Sequence, residues 1–307
     1  MRSIMKKIMR ISLIILVAGI VLVVLGIILG GKPSFSIDLK KHKIYTNLDA
    51  VSEETVITGE FKNIDVKADT EDVEIILTEE ESYKVEYRVM GREPKIKEEN
   101  GTLTIREASQ GFGVIDFGMH LNFPKTYIKI YVPVSAMLEE VTISTDTGDI
   151  QLNTLQASYI KLKSDTGNIS ANHIETSTLA MTTDTGNIAV DDGKVEEGST
   201  DSDTGNIRMK DISIESLSIE TDTGNIKMEK ADIAQLEAKS DTGNVTCEVE
   251  GKEKEYGMKL KTDVGKIKVN GTSQGSRHEA EGNGRRNLNI TTDTGNITVS
   301  FAAKLVQ

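Results

Sequence analysis

A 19-residue period is the feature that most restricts how this chain can fold. The sextet Thr-Asp-Thr-Gly-Asn-Ile stands at 221–226, and near-copies of it recur through the second half of the chain. Alignment on the aspartate gives six equally spaced copies, at Asp146, Asp165, Asp184, Asp203, Asp222 and Asp241. Two further copies follow at wider spacings, at Asp263 and Asp293. A fixed period of this length is typical of a solenoid, in which each repeat forms one coil.

Apolar residues occupy fixed columns around each sextet. Pairs such as Ile226 and Met228 follow the aspartate, and pairs such as Leu217 and Ile219 precede it. Apolar and polar residues alternate in these runs, which is the period of a half-buried strand, and each run is too short for a helix. We therefore predict coils of strand, sharp corner, strand and a third short strand near 211–214. Stacked at about 4.8 Å, such coils would bury the columns as one continuous core.

The apolar columns begin before the visible sextets. The stretch at 64–75 aligns column by column, with Glu71 at the position of the glycine. Other strand-like stretches occur at 82–89, 101–107 and 127–134. We predict an all-β fold, a single-stranded β-helix or solenoid with 19-residue coils, over residues 61–307. Residues 32–60 are predicted to be a polar connector.

The N-terminal region has the composition of a membrane anchor. Residues 11–30 carry no charge, and twenty helical residues span about 30 Å, the thickness of a bilayer core. A cleaved signal peptide would need a shorter apolar stretch and a small-x-small cleavage site, for which the sequence offers no convincing pattern. We therefore predict a short basic tail at 1–10 and one transmembrane helix at 11–31 that precedes the solenoid. The chain would be a single-pass protein of the cell membrane.

The membrane orientation rests on the charges that flank this span. Four basic residues precede it and four lysines follow it closely, so the counts on the two sides are equal. We favour an extracytoplasmic C-terminal domain because the basic residues of the N-terminal tail lie closer to the span. The alternative is a structural or regulatory scaffold that faces the cytoplasm at the membrane.

Beyond the span the chain is acidic. Four of the 36 basic residues precede residue 32, which leaves 32 basic residues against 48 acidic ones. This balance disfavours nucleic acid, whose binding needs a basic stripe. It favours a cationic ligand or another envelope protein as the partner. The single cysteine, Cys247, stands in an apolar column and is predicted to be a small buried side chain.

Each residue of the sextet has a predicted structural role. We expect the glycine to supply a positive φ, the aspartate to cap the turn, and the preceding Ser or Thr to point inward and bond the turn. The predicted corner glycines are Gly148, Gly167, Gly186, Gly205, Gly224, Gly243, Gly265 and Gly295. Stacked aspartates would repel one another by about 0.9 kcal/mol per neighbouring pair even in water. A ladder of cations bound along the six aspartates is therefore the alternative to capping.

The tripeptide Asp-Thr-Gly is also the catalytic signature of aspartic proteases. Those enzymes bring two carboxylates close enough to share a proton, on two lobes or in a dimer. Here the tripeptide recurs in series and is mostly followed by Asn. The Gly-Thr-Ser-Gln-Gly stretch at 271–275 has the spacing of a hydrolase nucleophile, but it lies in a Gly/Ser-rich insertion without a following helix. We predict no enzymatic activity, no catalytic residue and no cofactor.

Two insertions interrupt the pattern and are candidates for partner binding. Residues 111–125 hold Phe112, Phe117 and Phe123, three of the six phenylalanines. We predict either a loop packed on the solenoid or an apolar contact with a partner or the membrane surface. The insertion at 270–287 carries three arginines and is predicted to be either a protruding binding loop or a solvated one.

The strand at 127–150 and the tandem Ser-Asp-Thr-Gly-Asn-Ile corners resemble the bacterial "putative adhesin" β-strand-repeat family, a domain of unknown function. The resemblance covers residues 55–305. It implies a β-helical, often membrane-anchored envelope protein, with some relatives linked to cell-envelope stress, and it provides no catalytic residues. The expected function is therefore binding, adhesion or envelope-stress sensing without catalysis.

Overall fold

The computed structural model describes residues 34–38, 43–45, 50–57, 59, 61–90, 93–107, 114–118 and 125–302, together with six residues of the predicted span. Those six residues are helical: Ser12, Ile15, Leu16, Gly19, Leu22 and Leu25. The remainder of the predicted tail and span lies outside the described residues. Within the described part of the chain, no helix has both the length and the hydropathy of a membrane span.

Strands make up nearly all of the described chain. The strands before the regular repeats are β1 (Ser34–Asp38), β2 (Lys43–Tyr45), β3 (Ala50–Ile57), β4 (Asn63–Ala68), β5 (Asp72–Thr78), β6 (Tyr83–Met90), β7 (Lys95–Glu99), β8 (Thr102–Arg106), β9 (Val114–Gly118) and β10 (Tyr127–Pro133). The repeats are β11 (Leu138–Thr147), β12 (Ile150–Thr166), β13 (Ile169–Thr185), β14 (Ile188–Thr204), β15 (Ile207–Thr223), β16 (Ile226–Thr242) and β17 (Val245–Glu250). A 3-10 helix (Glu253–Glu255) precedes β18 (Tyr256–Val264), β19 (Ile267–Val269), β20 (Thr272–Gly275), β21 (Arg277–Ala280), β22 (Arg286–Thr294) and β23 (Ile297–Ala302).

Each regular coil is one 17-residue strand that bends around three sides of the core. In β15 the inward pairs, one from each side, are Ile207 and Met209, Ile212 and Ile214, and Leu217 and Ile219. The bend between the first two sides lies at Asp211, whose φ of 50° is in the left-handed region. The same column in the other coils also has a left-handed φ, at Thr154, His173, Asp192 and Lys230. The predicted third strand near 211–214 is therefore confirmed.

Neighbouring coils pair in parallel at an offset of one full repeat, as the sequence predicts. Ile169 lies opposite Ile150 on one side and opposite Ile188 on the other, and all three are fully buried. Val73 lies opposite Ile150, which confirms that the columns begin in the stretch at 64–75. The stacked columns form a single apolar core along the solenoid.

The coil β14 has the weakest apolar interior of the regular coils. Gly193, Gly198 and Thr200 occupy columns that hold Ile212, Leu217 and Ile219 in the next coil. The hydroxyl of Thr200 is buried and has no hydrogen-bond partner among the described residues. This coil therefore contributes less apolar burial than its neighbours.

The C-terminal coils do not stack in chain order. β22 lies between β16 and β18, and β23 lies between β17 and β19, with parallel pairing on both sides. The Asp293 corner consequently stands between the Asp241 and Asp263 corners. The expectation that all corners follow one another in series is wrong at this end, because the chain forms the outer coil first and then returns to fill the gap.

The N-terminal end of the stack has the same kind of exchange. β4 pairs with β8 on one side and with β11 on the other, while β5 lies between β10 and β12. The coil formed by β8 and β10 is therefore outermost, although it follows β4 and β5 in the chain. In this outer coil, β8 ends at Arg106 and β10 begins at Tyr127, so a much longer stretch of sequence than the Asp-Thr-Gly sextet connects the two strands.

Antiparallel strands cover both ends of the stack. β7 pairs with β8, β6 pairs with β10, and β3 pairs with β6 at the N-terminal end. At the other end, β21 pairs with β18 and β20 with β19, so the insertion at 270–287 includes two edge strands rather than only a protruding loop.

The predicted connector at 32–60 contains three strands. β3 joins the main sheet, while β1 forms a small sheet with β2 and β9. The polar composition of this segment suggested a linker, but antiparallel partners elsewhere in the chain satisfy its backbone.

Candidate functional site

The Asp-Thr-Gly-Asn corners align along one edge of the solenoid and present four columns of side chains. The innermost column holds the Ser or Thr that precedes each aspartate. Ser164 donates a hydrogen bond from its hydroxyl to the Gly148 carbonyl at 2.9 Å, and Thr183 does the same to Gly167 at 3.0 Å. The pattern continues to Thr292 and Gly243 at 2.9 Å. The predicted inward, turn-bonding role of this column is confirmed.

The corner glycines are required by close contact between coils rather than by their φ angles. A Cβ atom on Gly205 would overlap the carbonyl oxygen of Gly186 in the neighbouring coil, and the other corner glycines face the same obstacle. None of seven predicted corner glycines has a left-handed φ: Gly148, Gly167, Gly186, Gly205, Gly224, Gly243 and Gly265. The predicted positive φ is therefore wrong at these seven corners, since the left-handed residues lie at the other bend of each coil. The eighth corner glycine, Gly295, has a φ of 159° and faces the Gly243 carbonyl in the same way as the others.

The asparagine of each sextet forms the hydrogen-bonded ladder of this edge. The side-chain oxygen of Asn187 accepts the backbone N–H of Asn206 at 2.9 Å and its side-chain amide at 3.2 Å. The same pair of bonds links Asp149, Asn168, Asn187, Asn206, Asn225, Asn244 and Asn296. An asparagine side chain both donates and accepts, so it can repeat this arrangement without limit.

The aspartates of the predicted ladder do not cap the turn. In the described part of the chain, the side chains of Asp146, Asp165, Asp184, Asp203, Asp222 and Asp241 make no hydrogen bond to a backbone N–H. Lysines on the preceding strand approach some of these carboxylates, as with Lys163 and Asp165 at 2.9 Å and Lys239 and Asp241 at 3.5 Å. The aspartates therefore form a partly exposed row on the outside of the corner, which we call the aspartate row.

The centre of the aspartate row is its most acidic part. Asp184, Asp203 and Asp222 are exposed and have no ion pair within the described chain. Asp201 stands two residues before Asp203 on the same edge. Burial raises the pKa of Asp201, and so do the charges of Glu220, Asp203 and other carboxylates nearby. Lys163 pairs with Asp165 and Lys239 with Asp241 on the two sides of this centre, and Lys239 also pairs with Glu220. The unpaired carboxylates of the row at its centre are therefore those of Asp184, Asp203 and Asp222.

The cation ladder that the sequence suggests would lie along the six carboxylates of the aspartate row. No group of three or more His, Cys, Asp or Glu side chains suited to hold a metal ion occurs among the described residues. The carboxylates of the row are spread one per coil along the edge, so they do not converge on a common point.

The family of the chain follows from its repeats. A family model described as Toastrack DUF4097 matches residues 61–300, which include nearly all of the stacked coils. The chain belongs to the Toastrack DUF4097 family. This result confirms the predicted resemblance to a β-strand-repeat domain of unknown function. No curated protein matches the chain.

Several solved structures are similar to the Toastrack domain. A putative adhesin from Bacteroides fragilis is 13% identical, with a TM-score of 0.49 over 83% of this chain and 98% of that one. A putative adhesin from Parabacteroides merdae is 15% identical, with a TM-score of 0.49 over 85% of this chain and 98% of that one. A putative lipid binding protein from Parabacteroides distasonis is 15% identical, with a TM-score of 0.40 over 83% of this chain and 97% of that one.

A groove of about 730 Å³ runs along another side of the Toastrack domain. Its walls include Glu175, Glu196 and Glu215, and Met137 stands at one end with 85% of its surface exposed. Lys194 pairs with Glu175 at 2.9 Å across the groove. The groove therefore mixes both charges, in contrast to the centre of the aspartate row.

The predicted aromatic contact site lies mostly outside the described residues. Phe112 and Phe123 lie outside the described residues, while the backbone of Phe117 lies in β9 opposite Phe35 of β1.

Two other residues singled out in the sequence have structural positions. Ser273 of the Gly-Thr-Ser-Gln-Gly stretch lies in β20, on the edge of the sheet. Cys247 is fully buried, and this burial raises the pKa of its thiol to about 12.

Two features of the edge escaped the sequence-based prediction. The asparagine ladder was visible as a constant Asn, but the adjacent aspartate was given the capping role. The central concentration of charge was also visible, because Asp201 and Glu220 stand two residues before the aspartates of their coils. Alignment of the outward-facing columns, in addition to the inward-facing ones, shows both the constant asparagine and the extra carboxylates at Asp201 and Glu220.

Proposed function

We propose that the chain is a non-enzymatic, membrane-anchored protein of the cell envelope whose solenoid binds a cationic partner along the aspartate row. The observation that carries the proposal is the set of unpaired carboxylates in the middle coils, Asp184, Asp203 and Asp222. Opposite charges on a partner would relieve their mutual repulsion and steer its approach. Adhesion and envelope-stress sensing are both uses of such a surface.

The ladders behind the row support this function by holding the carboxylates in place. The glycine contacts and the asparagine bonds fix one corner upon the next, so the aspartates repeat at the coil spacing of about 4.8 Å. Because the row cannot spread, its repulsion remains until an external cation compensates it. A rigid row also loses little conformational entropy when a partner binds.

The experiment compares two triple substitutions that change the net charge equally. One variant carries Asp184→Asn, Asp203→Asn and Asp222→Asn, and the matched control carries Glu175→Gln, Glu196→Gln and Glu215→Gln in the groove. Titration calorimetry would measure the binding of an oligolysine peptide at low and high salt. We expect affinity to fall by about tenfold in the row variant and to stay near wild type in the control. Equal losses in both variants would show a response to net charge alone and would reject the row as the site.

The membrane anchor and the extracytoplasmic placement belong to the same proposal and rest on the uncharged sequence at 11–30. Cys247 is buried, so a cysteine introduced at exposed Ser216 would be the reactive thiol of the solenoid. A membrane-impermeant maleimide should label Ser216→Cys in intact cells. Labelling only after lysis would instead support the cytoplasmic-facing scaffold.

A further inference from the structure

The outermost N-terminal coil places a carboxyl group where the regular coils place a hydroxyl. Arg106 at the end of β8 lies opposite Lys67 of β4, so Glu107 follows in the column of Ala68 and Thr145. The backbone N–H of Glu107 donates to the Lys67 carbonyl at 3.1 Å, which keeps this register. Glu107 therefore stands in the Ser/Thr column of the outermost coil.

A second carboxyl group, that of Glu71, occupies the glycine column in the neighbouring coil formed by β4 and β5. Glu71 is the corner residue of the coil next to the Gly148 corner. Its backbone carbonyl oxygen faces Gly148, as the carbonyl of each corner glycine faces the glycine of the next coil. The Glu71 side chain is only 2% exposed, and its Oε2 accepts the backbone N–H of Thr70 at 3.2 Å.

The two glutamates and Asp69 form a cluster of carboxyl groups, and none of them has an ion pair with a lysine or arginine among the described residues. Burial, the charge of Glu71 and the proximity of Asp69 raise the pKa of Glu107 to about 8. Burial also raises the pKa of Glu71. One carboxyl oxygen of Glu107, Oε2, is buried without a hydrogen-bond partner among the described residues.

The cations on the strands that pack here point elsewhere. Arg106 pairs with Asp65 on the outer face of β8 and β4. Lys67 of β4 and Lys95 of β7 are exposed. The groups that face Glu107 from the adjacent corner are thus the carboxyls of Asp69 and Glu71. An ionised Glu107 would bring a further negative charge into this buried cluster.

We propose that protonated Glu107 closes the N-terminal end of the stack, and that its ionisation loosens β8 and β10 from β4 and β5 as the pH rises through neutral. A protonated Glu107 carries no charge, whereas an ionised one would be repelled by the carboxyls of Glu71 and Asp69 in a partly buried site. Protonation therefore removes the repulsion that would otherwise separate the outermost coil from its neighbour. This pH response involves the end of the stack and is independent of the aspartate row.

The direction of the pH dependence follows from linkage. The pKa of Glu107 is higher in the closed state, so the closed state binds more protons than the open state between the ordinary carboxyl pKa and about 8. The closed state therefore loses stability as the pH rises through this window, and the dependence levels off above it, where Glu107 is ionised in both states. With a closed-state pKa of about 8, the population of the open end should rise by about tenfold between pH 7 and pH 9.

Hydrogen exchange of the full chain in detergent micelles would test this proposal. We expect the protection factors of the β8 amides to fall by about tenfold from pH 7 to pH 9 in the wild type, and those of β15 to change much less. Glu107→Gln keeps the shape and a donor but cannot ionise, so its β8 protection should be independent of pH. The control Glu99→Gln alters an exposed carboxylate on β7 and should behave as the wild type does.

An infrared measurement keeps the proposal testable if Glu107→Gln disturbs the fold. The wild type at pH 7 should show the carbonyl stretch of a protonated carboxyl group, and that band should disappear in titration near pH 8. Glu71→Gln, which removes the neighbouring charge, should move the titration to lower pH. Absence of the band in the wild type at pH 7, or equal β8 protection at pH 7 and pH 9, would overturn the proposal.

Discussion

The side-chain oxygen of Asn206 accepts both the backbone N–H of Asn225, at 2.9 Å, and its side-chain amide, at 3.0 Å. Asn206 in turn donates its own N–H and amide to Asn187 in the coil before it. One side chain therefore joins three coils. The exposed asparagines therefore connect neighbouring coils at the surface, in addition to the apolar columns that connect them in the core.

Substitution of Asn206 should destabilise the domain although the residue is exposed. Asn206→Ala removes the side-chain bond to Asn187 and the two bonds that its side-chain oxygen accepts from Asn225, and we expect the free energy of unfolding to fall by about 1–3 kcal/mol. Asp203→Ala in the same corner removes no side-chain hydrogen bond and should change stability by less than about 0.5 kcal/mol. Urea denaturation followed by circular dichroism would measure both. Similar values for the two variants would contradict a stabilising role of the ladder.

Asp149→Asn should stabilise the domain by extending the ladder. The Asp149 carboxylate accepts from Asn168 but cannot donate, while its backbone N–H bonds to the Asp72 carboxylate at 2.9 Å. An asparagine would add a donor toward Asp72 and remove a like charge, so we expect a gain of about 1 kcal/mol. Asp146→Asn removes the same charge without a ladder bond. Equal gains in both variants, measured by thermal denaturation, would attribute the effect to charge alone.

Two glycine substitutions should have opposite consequences. A Cβ atom on Gly205 would overlap the Gly186 carbonyl, and we expect Gly205→Ala to cost about 3 kcal/mol or more. A Cβ atom on Gly193 would meet Ile174 and Val190 at 3.4 Å, which is close to ordinary contact. Gly193→Ala should therefore be neutral or stabilise by up to about 1 kcal/mol, through loss of unfolded-state entropy. In urea denaturation, the midpoint of Gly205→Ala should be well below that of the wild type, and the midpoint of Gly193→Ala should be equal to it or higher. A midpoint of Gly193→Ala as low as that of Gly205→Ala would contradict this difference.

Thr200 offers a way to strengthen the weakest coil. Its buried hydroxyl has no partner among the described residues, so Thr200→Val should raise the free energy of unfolding by about 1–2 kcal/mol. The matched substitution Thr183→Val removes the bond to the Gly167 carbonyl at 3.0 Å and should destabilise by about 1 kcal/mol. Calorimetry would compare the two. A loss of stability in Thr200→Val would show that the hydroxyl is satisfied by water or another group.

The regular part of the fold could be predicted because its columns repeat. Ile169 and Ile188 stand one repeat apart and the apolar period is that of a strand, so parallel stacking in register was the natural solution. The role of the glycines could not be read in the same way. A residue such as Gly205 is equally typical of a positive φ and of close backbone contact, and only the position of the neighbouring carbonyl distinguishes the two.

The order of the coils at the ends was beyond what the repeats specify. The corners of Asp263 and Asp293 have similar local sequences, so either could stack on the Asp241 coil. Their wider spacings indicated extra chain, but spacing does not reveal direction. The strands β1 and β3 were missed because their partners β9 and β6 are distant in sequence, and β2 was missed with them because it pairs only with β1 among the described strands.

The placement of β22 and β23 between earlier parts of the chain has a consequence for biosynthesis. A solenoid built in chain order can be shortened from its C-terminus one rung at a time. Here, removal of β22 and β23 would delete an internal rung and leave β18 facing an empty position beside β16. These two strands are synthesised after the coils on both sides of them. They therefore join two parts of the stack that the earlier chain leaves separate. A chain terminated before them would lack a continuous core.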